Sequence, residues 1–493
     1  MYRQVVKRPL WLVLLVAFVL VMSACEEGGG RPVEEAAKTH TITQETTATG
    51  KPNILFVLTD DMRASDLRYM SKTKKLLAGG GVKFTNAFVT RSLCCPSRAT
   101  ILRGQYSHNH QVWGTWPPLG GFEKFRDLGR ERSPIATWLN SEGYDTILIG
   151  KYLNGYDDTT YVPPGWDHWH GYLGEYSATS NQINENGRVA TYDRSRIHDT
   201  DLFADKATHF IRNSASGAPF FMYLATNAPH TPAYVADRHE GMFSNEPLPK
   251  PPSFNEADVS DKPAWVRNKP RVTSDYERGY LNLLYRQRLG ALQSVDEMVG
   301  RLVSALRDTG ELSNTYIVFT SDNGIYLGEH RLAAKAAAYE EAIRVPLLVR
   351  GPGVPQGVTR SQLVLNNDLA PTFASWADVM PPSFVDGRSL SPLLSTSLPA
   401  SWRTAFLVEH RRSASEGPYT VDKPDYDAVR TSQYLYVEYK TGERELYDLS
   451  TDPYELTSLH ASASLALLSD LEARLDALKS CTGAECKAAE DGG

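Results

Sequence analysis

Four short apolar runs recur along the chain, and polar residues follow within a few positions of the end of each run. The runs span Asn53–Thr59, Thr146–Ile149, Phe220–Leu224 and Tyr316–Thr320. An unbroken apolar run of this length is typical of a parallel strand that is buried on both faces. Because ligands bind at the carboxyl ends of such strands, we expect the polar residues that follow the runs to meet in one cleft.

The segments between these runs have a helical pattern, and the pattern changes near residue 400. Apolar residues recur every three or four positions from Leu289 to Leu306, which predicts a helix that covers the sheet and has no chemistry of its own. Alternating strands and helices predict a three-layer α/β/α domain over residues 51–400. Residues 401–493 predict a smaller C-terminal α+β subdomain with an antiparallel sheet, because strand patterns and a last helix follow at 406–409, 434–439, 445–447 and 463–478.

The charge of the chain argues against nucleic acid as a partner. Its 493 residues include 52 basic and 58 acidic ones, and the net charge is −6. No stripe of lysine and arginine stands out, and a mildly acidic protein has no general attraction for a polyanion. Any anionic substrate must therefore be held by a few local positive groups.

The first 50 residues predict an exported protein. Basic residues precede an apolar run over residues 10–21, which has the charge and length of an export signal. Cys25 follows Ser-Ala and resembles a bacterial lipoprotein cleavage site, so residues 1–25 are interpreted as a lipoprotein-type signal peptide. A lipid on Cys25 would attach the protein to a membrane, at the cell surface or in the periplasm; a simply cleaved signal and an uncleaved anchor helix are the alternatives. Residues 26–50 predict a flexible tether.

Oxygen-bearing side chains follow the first and the fourth apolar runs. Asp60 and Asp61 come after the first run, and Asp322 and Asn323 come after the fourth. Carboxylate and amide oxygens are ligands of hard cations, which favours Ca²⁺ or Mg²⁺ over zinc. A helix cap and a turn would explain each pair alone, but their common position at strand ends favours a cation site.

A cysteine motif lies between these two pairs. In the run Cys94-Cys95-Pro96-Ser97-Arg98, the proline suits the first position of a helix. Such a helix would direct free amide groups and the positive end of its dipole toward Cys94, a setting that attracts an oxyanion. Two buried, unreactive cysteines are the alternative. The order Cys-x-Pro-Ser-Arg resembles the maturation motif of the sulfatase family.

This resemblance implies an alkaline-phosphatase-like fold and a set of site residues. A formylglycine-generating enzyme would oxidise Cys94 to formylglycine, whose hydrated aldehyde would supply the nucleophile. The calcium ligands of the family, including the modified cysteine, correspond to Asp60, Asp61, Cys94, Asp322 and Asn323. The groups that would bind the sulfate or hold the hydrate correspond to Arg98, Lys151, His230 and Lys335. The last of these lies in an alanine-rich run where many relatives have glycine before the lysine.

Two further runs favour a sugar sulfate as the substrate. Residues 104–110 and the run Lys151-Tyr152-Leu153-Asn154 are similar to the N-acetylglucosamine-6-sulfatase and extracellular endosulfatase branch. Leu153 stands where many arylsulfatases have histidine, which argues for a sulfated sugar or glycosaminoglycan over a phenyl sulfate. Other side chains expected at the pocket are Asn154, His108 and His110, together with Trp113, Trp166 and Trp169, which could equally pack under loops.

The remaining cysteines predict one disulfide bond. The chain has five cysteines, and Cys481 and Cys486 are left once Cys25, Cys94 and Cys95 have been assigned. Their short separation would allow a small disulfide loop in an oxidising compartment, and two free surface thiols are the alternative.

Other functions stay open at this point. A phosphomonoester or phosphodiester hydrolase of the same superfamily would use the same aldehyde on phosphorus. A non-catalytic lipoprotein that binds sulfated glycans would keep Cys94 as a thiol. A two-zinc phosphatase is disfavoured, because no second cluster of aspartate and histidine with suitable spacing is found in the sequence.

Overall fold

The structure is a computed structural model that describes residues 50–157, 160–174, 179–214, 217–412 and 423–492. The predicted signal peptide with Cys25, and the predicted tether up to residue 49, lie outside the described residues. Within the described ranges, no helix combines the length and the apolar character that crossing a membrane requires.

The four predicted strands form, and further strands extend the sheet on both sides. In chain order, the strands of the described residues are β1 Asn53–Thr59, β2 Val82–Phe84, β3 Ala87–Phe88, β4 Asp145–Gly150, β5 His168–Tyr172, β6 Ser180–Glu185, β7 Arg188–Asp193, β8 Phe220–Ala225, β9 Thr315–Ser321, β10 Tyr326–Leu327, β11 Ala333–Ala334, β12 Leu347–Arg350, β13 Val358–Arg360, β14 Val364–Leu365, β15 Ala405–His410, β16 Tyr426–Thr431, β17 Tyr434–Tyr439 and β18 Arg444–Asp448.

Helices connect these strands and cover the sheet. In chain order, the α-helices of the described residues are α1 Ser71–Thr73, α2 Cys94–Arg103, α3 Ser107–His110, α4 Gly121–Asp127, α5 Ile135–Ser141, α6 Asp199–Ser214, α7 Ala264–Arg267, α8 Asp275–Asp308, α9 Glu340–Ile343, α10 Leu369–Trp376, α11 Leu465–Leu478 and α12 Ala484–Asp491. A π-helical turn continues α1 over Lys74–Ala78. Short 3₁₀ turns lie at Ala64–Tyr69, Arg130–Arg132, Asp237–His239, Glu311–Asn314, Asn366–Asp368 and Ser391–Leu394.

The ten-stranded central sheet is built around the predicted strands. Its order is β13-β2-β12-β9-β1-β8-β4-β5-β6-β7, and β9, β1, β8 and β4 run parallel to one another. Every residue of β1 is buried, which is why its sequence is an unbroken apolar run. Antiparallel pairing of β12, β6 and β7 toward the two edges makes the sheet mixed.

Hydrophobic layers cover both faces of the sheet. Ile54 and Phe56 of β1 belong to one core, which also contains residues of α2 and α10. Leu55 and Val57 alternate with them and belong to a second core with α6 and α8. Since neighbouring strand residues point to opposite faces, this alternation confirms the predicted three-layer α/β/α architecture.

The helix that carries the cysteine motif begins two residues earlier than predicted. Helix α2 starts at Cys94 after the extended residue Leu93, so Pro96 is the third helical residue and the prediction of the first position was wrong. Gly104 ends the helix with a φ of 66°, a left-handed conformation that glycine adopts without strain. All ten residues of α2 are buried, which places Cys94 inside the protein at the positive end of the helix.

The C-terminal residues form the predicted antiparallel sheet. Its strands pair in the order β15-β16-β17-β18. Helix α11 follows, and the side chain of Ser464 accepts a hydrogen bond from its backbone N–H of Leu467 at 3.3 Å. Cys481 and Cys486 form a disulfide bond. A buried contact joins this part to the segment between α2 and α3, since Tyr106 donates to Glu490 at 2.6 Å.

Candidate active site

The polar residues after the predicted strands meet at one edge of the sheet, as parallel strand ends require. Asp61 follows β1, and its backbone N–H donates to Oδ1 of Asp322, which follows β9, at 3.1 Å. Lys151 follows β4 and contacts the carboxylate of Asp60. His230 lies beyond β8 and places Nε2 3.5 Å from Asp61. Four separate segments therefore contribute to one cluster.

The sulfur atom of Cys94 lies within this cluster. It is 3.3 Å from Oδ1 of Asp60 and 3.8 Å from Oδ1 of Asp61. The ammonium group of Lys335 donates to the sulfur at 2.8 Å and also contacts Asp61. The alanine-rich sequence around Lys335 thus places the lysine beside the cysteine, although it departs from the glycine of many relatives.

Arg98 is buried beneath these groups and fixes their positions. Its Nε donates to Oδ2 of Asp322 at 2.8 Å, and a terminal nitrogen lies 3.7 Å from Asp60. Another terminal nitrogen donates to the backbone carbonyl of Lys151 at 2.8 Å. Because carboxylates and carbonyls surround the guanidinium group, Arg98 holds three strand ends together, those of β1, β4 and β9, and does not itself line the cavity.

Burial and positive neighbours set the charges of this cluster. Burial raises the pKa of Asp60, but Lys151 and the other nearby cations reverse this and hold it well below its usual range. Burial and the carboxylate of Asp60 raise the pKa of Asp322 to about 6. Burial, followed by Asp60, raises the pKa of the Cys94 thiol well above its usual range. An unmodified Cys94 is therefore a protonated thiol and a poor nucleophile at neutral pH.

The oxygen atoms of the cluster suit a hard cation. Ligand atoms of Asp60, Asp61, Cys94 and His230 all lie within 4.8 Å of one another. The amide nitrogen of Asn323 donates to Asp61 at 2.6 Å, while its buried amide oxygen has no hydrogen-bond partner. A buried acceptor without a partner is costly, and a bound cation would satisfy it. Carboxylate and amide oxygens are the ligands that Ca²⁺ and Mg²⁺ prefer.

A cavity of about 880 Å³ gives access to this cluster. Its wall contains five of the predicted catalytic or metal-binding residues, Asp61, Cys94, Lys151, His230 and Lys335. Leu153 and Asn154 also line it, so the predicted Lys-Tyr-Leu-Asn run forms part of the wall. A larger cavity of about 1120 Å³, beside β4 and α6, contains none of the predicted residues. The smaller cavity is therefore the candidate active site, because it holds the chemically competent groups.

Comparison with known families decides the identity of this site. The sequence pattern of the sulfatase family matches residues 52–379. The chain belongs to the sulfatase family. A second pattern, that of the C-terminal part of N-sulphoglucosamine sulphohydrolase, matches residues 328–480 of this sulfatase.

Individual sulfatases are similar along most of the chain. An arylsulfatase of Volvox carteri is 34% identical, over 88% of this chain and 76% of the relative. The N-acetylglucosamine-6-sulfatase of Homo sapiens is 33% identical, over 89% of this chain and 86% of the relative. A solved structure in complex with its substrate D-glucosamine-2-N,6-O-disulfate is 26% identical with a TM-score of 0.77, and the match covers 90% of this chain and 99% of that one. These similarities confirm the predicted fold and make the protein a sulfuric ester hydrolase.

Sulfatases generally use a formylglycine residue and a divalent metal ion. The cluster around Cys94 gives this sulfatase a cysteine at the start of a helix and oxygen donors beside it. The residues present therefore fit both requirements of the family.

The structure does not bring His108 and His110 into the cavity of this sulfatase. Nδ1 of His108 lies 3.1 Å from Glu409, and Nε2 lies 2.9 Å from the backbone carbonyl of Cys481. His110 is fully buried and pairs with the hydroxyl of Thr100 at 2.9 Å. His108 therefore joins α3 to the C-terminal part of the chain, and His110 joins α3 to α2. Neither lines the cavity, which corrects the expectation that they contact substrate.

The tryptophans singled out in the sequence have packing roles. Trp166 and Trp169 lie in the hydrophobic core, and Nε1 of Trp169 donates to the hydroxyl of Tyr156 at 2.7 Å. Trp113 lies under two arginine side chains. A different tryptophan, Trp116, lines the cavity. Trp116 also lies in a loop, so the pattern that drew attention to the other tryptophans could have identified it.

The contacts of His108 predict a pH dependence of stability. Burial lowers the pKa of His108, but the carboxylate of Glu409 overrides this effect. The pKa therefore rises from its usual 6.5 to about 9. The charged ring therefore stabilises the fold fully below about pH 6.5, and this stabilisation is lost as the pH rises through about 9. We expect Tm to fall more between about pH 6 and pH 9.5 in the natural protein than in His108→Gln. Equal falls in the two proteins would contradict this assignment.

Helix α8 takes part in the site, although its apolar period predicted only a covering role. Arg288 is fully buried and donates to the backbone carbonyls of Asp61 at 2.6 Å and of Pro229 at 3.0 Å. It therefore connects the helix to both the β1 end and the loop of His230. The cavity-lining residues of α8 are Tyr280, Leu281 and Leu284. The predicted stretch Leu289–Leu306 contributes no residue to the cavity wall, and the site contacts come from the earlier turns of α8, which the apolar pattern did not include.

Buried polar contacts fix both ends of the segment that carries Lys335. Nδ1 of His330, before the segment, lies 2.8 Å from Glu256. The backbone N–H of Glu340, after it, donates to Glu455 at 3.1 Å. Because Glu455 follows the last strand of the C-terminal sheet, that part of the chain helps to position the lysine.

Proposed function

We propose that this sulfatase hydrolyses the sulfate monoester of an amino sugar of the glucosamine 6-sulfate type. The observation that carries the proposal is the position of Cys94 in the wall of a cavity that Lys151, His230 and Lys335 also line. The substrate class is supported by relatives, since one acts on N-acetylglucosamine 6-sulfate by its name and another binds a glucosamine disulfate. Leu153 and Asn154 in the wall offer an apolar and an amide contact to a sugar ring.

Cys94 carries the nucleophile in this proposal. A formylglycine-generating enzyme would convert its side chain into an aldehyde, whose hydrate supplies a hydroxyl group for attack on sulfur. The side chains of Asp60, Asp61 and Lys335 surround the position of the sulfur atom. They therefore orient the group at position 94 before the substrate binds.

In this proposal Ca²⁺ would be held by oxygen atoms of four side chains, Asp60, Asp61, Asp322 and Asn323. Mg²⁺ is the alternative ion. The ion would stabilise a deprotonated hydroxyl and the sulfate oxygens beside it. Lys151 and Lys335 contact the two neighbouring aspartates and also line the cavity. Their ammonium groups are thus placed to bind sulfate oxygens and to neutralise their charge.

His230 is placed to assist the departure of the alcohol, and Lys335 is the second candidate for this role. Nδ1 of His230 lies 2.6 Å from the backbone carbonyl of Thr231. Since a carbonyl only accepts, Nδ1 carries a proton and the ring orientation is fixed. Nε2 then faces the site, 3.5 Å from Asp61, and burial lowers the pKa of the ring. In the neutral ring Nε2 has only a lone pair, so it must first take up a proton, a charged form that Asp61 and Asp60 favour, before it can transfer that proton to the leaving oxygen.

Export and lipid attachment complete the proposal. Cleavage before Cys25 and a lipid on that residue would hold the enzyme at a membrane, beside the tether of residues 26–50. The disulfide between Cys481 and Cys486 supports an oxidising compartment. Enzyme and substrate would then meet outside the cytoplasm.

The test measures release of sulfate, or of phosphate from the phosphate ester, by protein made in a host that produces formylglycine. The substrates are glucosamine 6-sulfate, N-acetylglucosamine 6-sulfate, a phenyl sulfate and glucosamine 6-phosphate. We expect kcat/KM for a sugar sulfate to exceed that for the other two esters by at least about tenfold, which corresponds to about 1.4 kcal/mol. A preference for the phosphate ester would replace the proposal by a phosphomonoester hydrolase.

Peptide mass spectrometry of the same sample checks the nucleophile. Replacing CH₂SH by CHO lowers the peptide mass by about 18 Da, and we expect this change at Cys94 and not at Cys95. An unmodified thiol, in a host that converts a control sulfatase, would favour a glycan-binding protein if sulfated sugars bind without release of sulfate.

A further inference from the structure

The first three turns of α8 carry an exposed apolar stripe. Tyr276, Tyr280 and Leu283 follow one another at spacings of four and three, so they share one face of the helix. Their exposed fractions are 84%, 53% and 54%. Large apolar side chains at the surface are usually scattered singly, and a contiguous stripe of them indicates a binding surface.

This stripe is continuous with the active-site cavity. Tyr280 belongs to both, and Leu284, one position further along the helix than Leu283, lines the cavity wall. Tyr276 lies one turn before Tyr280, at a rise of about 6 Å along the helix axis. A molecule that fills the cavity and extends past Tyr280 would therefore reach Tyr276 next.

The stripe is held in a fixed position relative to the reacting groups. The side chain of Ser274 accepts a hydrogen bond from the backbone N–H of Glu277 at 3.1 Å, and the carboxylate of Glu277 accepts one from the backbone N–H of Ser274 at 3.2 Å. This reciprocal cap fixes the start of α8. At the other side of the stripe, Arg288 donates to the backbone carbonyl of Asp61 at 2.6 Å. Tyr280 is thus placed by the same helix that contacts the β1 end.

The chemistry of the stripe fits a sugar. A pyranose ring presents a face of C–H groups and a rim of hydroxyls, and tyrosine presents an apolar ring with a polar hydroxyl. Trp116 adds a second aromatic side chain to the cavity wall. The cavity of about 880 Å³ lies toward the upper end of the range typical of small-molecule sites, which leaves room beyond one sugar ring.

We propose that Tyr280 and Tyr276 form a stacking surface for the sugars that adjoin the sulfated residue, so that this sulfatase binds a sulfated oligosaccharide chain and not only a single sugar. The inference rests on the proposed function, because it assigns the substrate's further units to the same site. Tyr280 contacts the sugar next to the sulfated one, and Tyr276 contacts the unit after that. Leu283 closes the apolar edge of the surface.

The test compares two substrates that carry the same ester. One is glucosamine 6-sulfate, and the other is a tetrasaccharide in which every glucosamine carries a 6-sulfate. We expect Tyr276→Ala to lower kcat/KM for the tetrasaccharide about tenfold more than for the monosaccharide, mainly through KM, as loss of one aromatic stacking contact would. Tyr276→Phe should retain the selectivity, because the ring remains. Met380 is a similarly exposed apolar side chain outside the stripe, and Met380→Ala should leave kcat/KM unchanged for both substrates.

The outcomes separate this inference from the proposed function. If Tyr276→Ala changes kcat/KM equally for both substrates, or for neither, the proposed stacking surface is wrong. Sulfate release by the natural protein would still support the proposed function in that case. Failure of the natural protein to release sulfate from either sugar would overturn the proposed function instead. Binding of the tetrasaccharide to protein with an unmodified Cys94 gives a readout without turnover, and equal Kd for Tyr276→Ala would contradict the inference. Loss of a dimer in Tyr276→Ala, with unchanged kinetics, would assign the stripe to contacts between copies of the chain.

Discussion

Replacing Cys94 by alanine is expected to abolish sulfate release, by at least about 10³-fold in kcat, as removal of a nucleophile generally does. The sulfur position lies between Asp60 and Lys335 at the cavity wall, and no other cysteine side chain of the described residues lines that cavity. The substitution removes one buried atom, so its cost in folding stability is on the order of 1 kcal/mol. Sulfate release and Tm, measured on the same preparation, would show loss of the first with little change of the second.

Cys95→Ala is the matched control for this prediction. Cys95 is equally buried and follows Cys94 in the same helix. The backbone amides of Gly121 and Asn154, and not the acidic cluster, face its sulfur atom. We therefore expect this variant to retain most of its activity and to show the same mass change at Cys94. Comparable losses in the two variants would mean that packing of α2, and not the group at position 94, limits the reaction.

Removal of the divalent cation is expected to lower both activity and stability. Three buried aspartates and an amide oxygen without a hydrogen-bond partner are grouped at the β1 and β9 ends, and a cation would offset their mutual repulsion. A ligand that binds only the folded state stabilises it by about 2.7 kcal/mol at a hundredfold excess over Kd. Dialysis against a chelator should therefore reduce Tm together with sulfate release.

Restoration by single ions completes this experiment. Ca²⁺ or Mg²⁺, added separately to the depleted protein, should restore Tm and activity, and elemental analysis should find about one ion per chain. Asp322→Asn is a suitable comparison, because it removes one negative charge from the proposed ligand set and should weaken the response to the ion. Full activity in protein that elemental analysis shows to be free of divalent cations would contradict the assignment.

The central sheet and the core of the site were predictable because burial on both faces leaves a strong signal. The residues of β1 are all apolar or buried, and the position of Asp61 directly after that strand fixes where its side chain must lie. The edge strands β6 and β7 carry alternating polar residues and are partly exposed. Their sequence resembles that of a loop, so they were not predicted.

The part of the cavity wall that α8 contributes could not be predicted from the sequence. Tyr280 belongs to α8, and the apolar pattern of this helix predicts only the side that packs on the sheet. The residues of α8 that face the cavity depend on the position of the whole helix in the fold. His108 shows the converse, because its motif suggested a substrate contact while its partner Glu409 is 301 positions away in the chain. A polar residue next to a catalytic motif can serve either purpose, and only the tertiary contacts distinguish them.

The contact between Glu340 and Glu455 has a consequence for recombining this chain with related enzymes. Glu455, which comes after the C-terminal sheet, holds the Glu340 end of the Lys335 segment, and Arg430 of that sheet donates to Glu340 at 2.8 Å. A chimaera joined near residue 400 would take Lys335 from one parent and Arg430 and Glu455 from the other. A junction before residue 328, where the second family pattern begins, would keep Lys335 with Arg430 and Glu455 but would separate His330 from Glu256. A junction before residue 256 would keep all of these contacts within one parent. Lys335 should therefore be exchanged together with the distant residues that hold its segment in place.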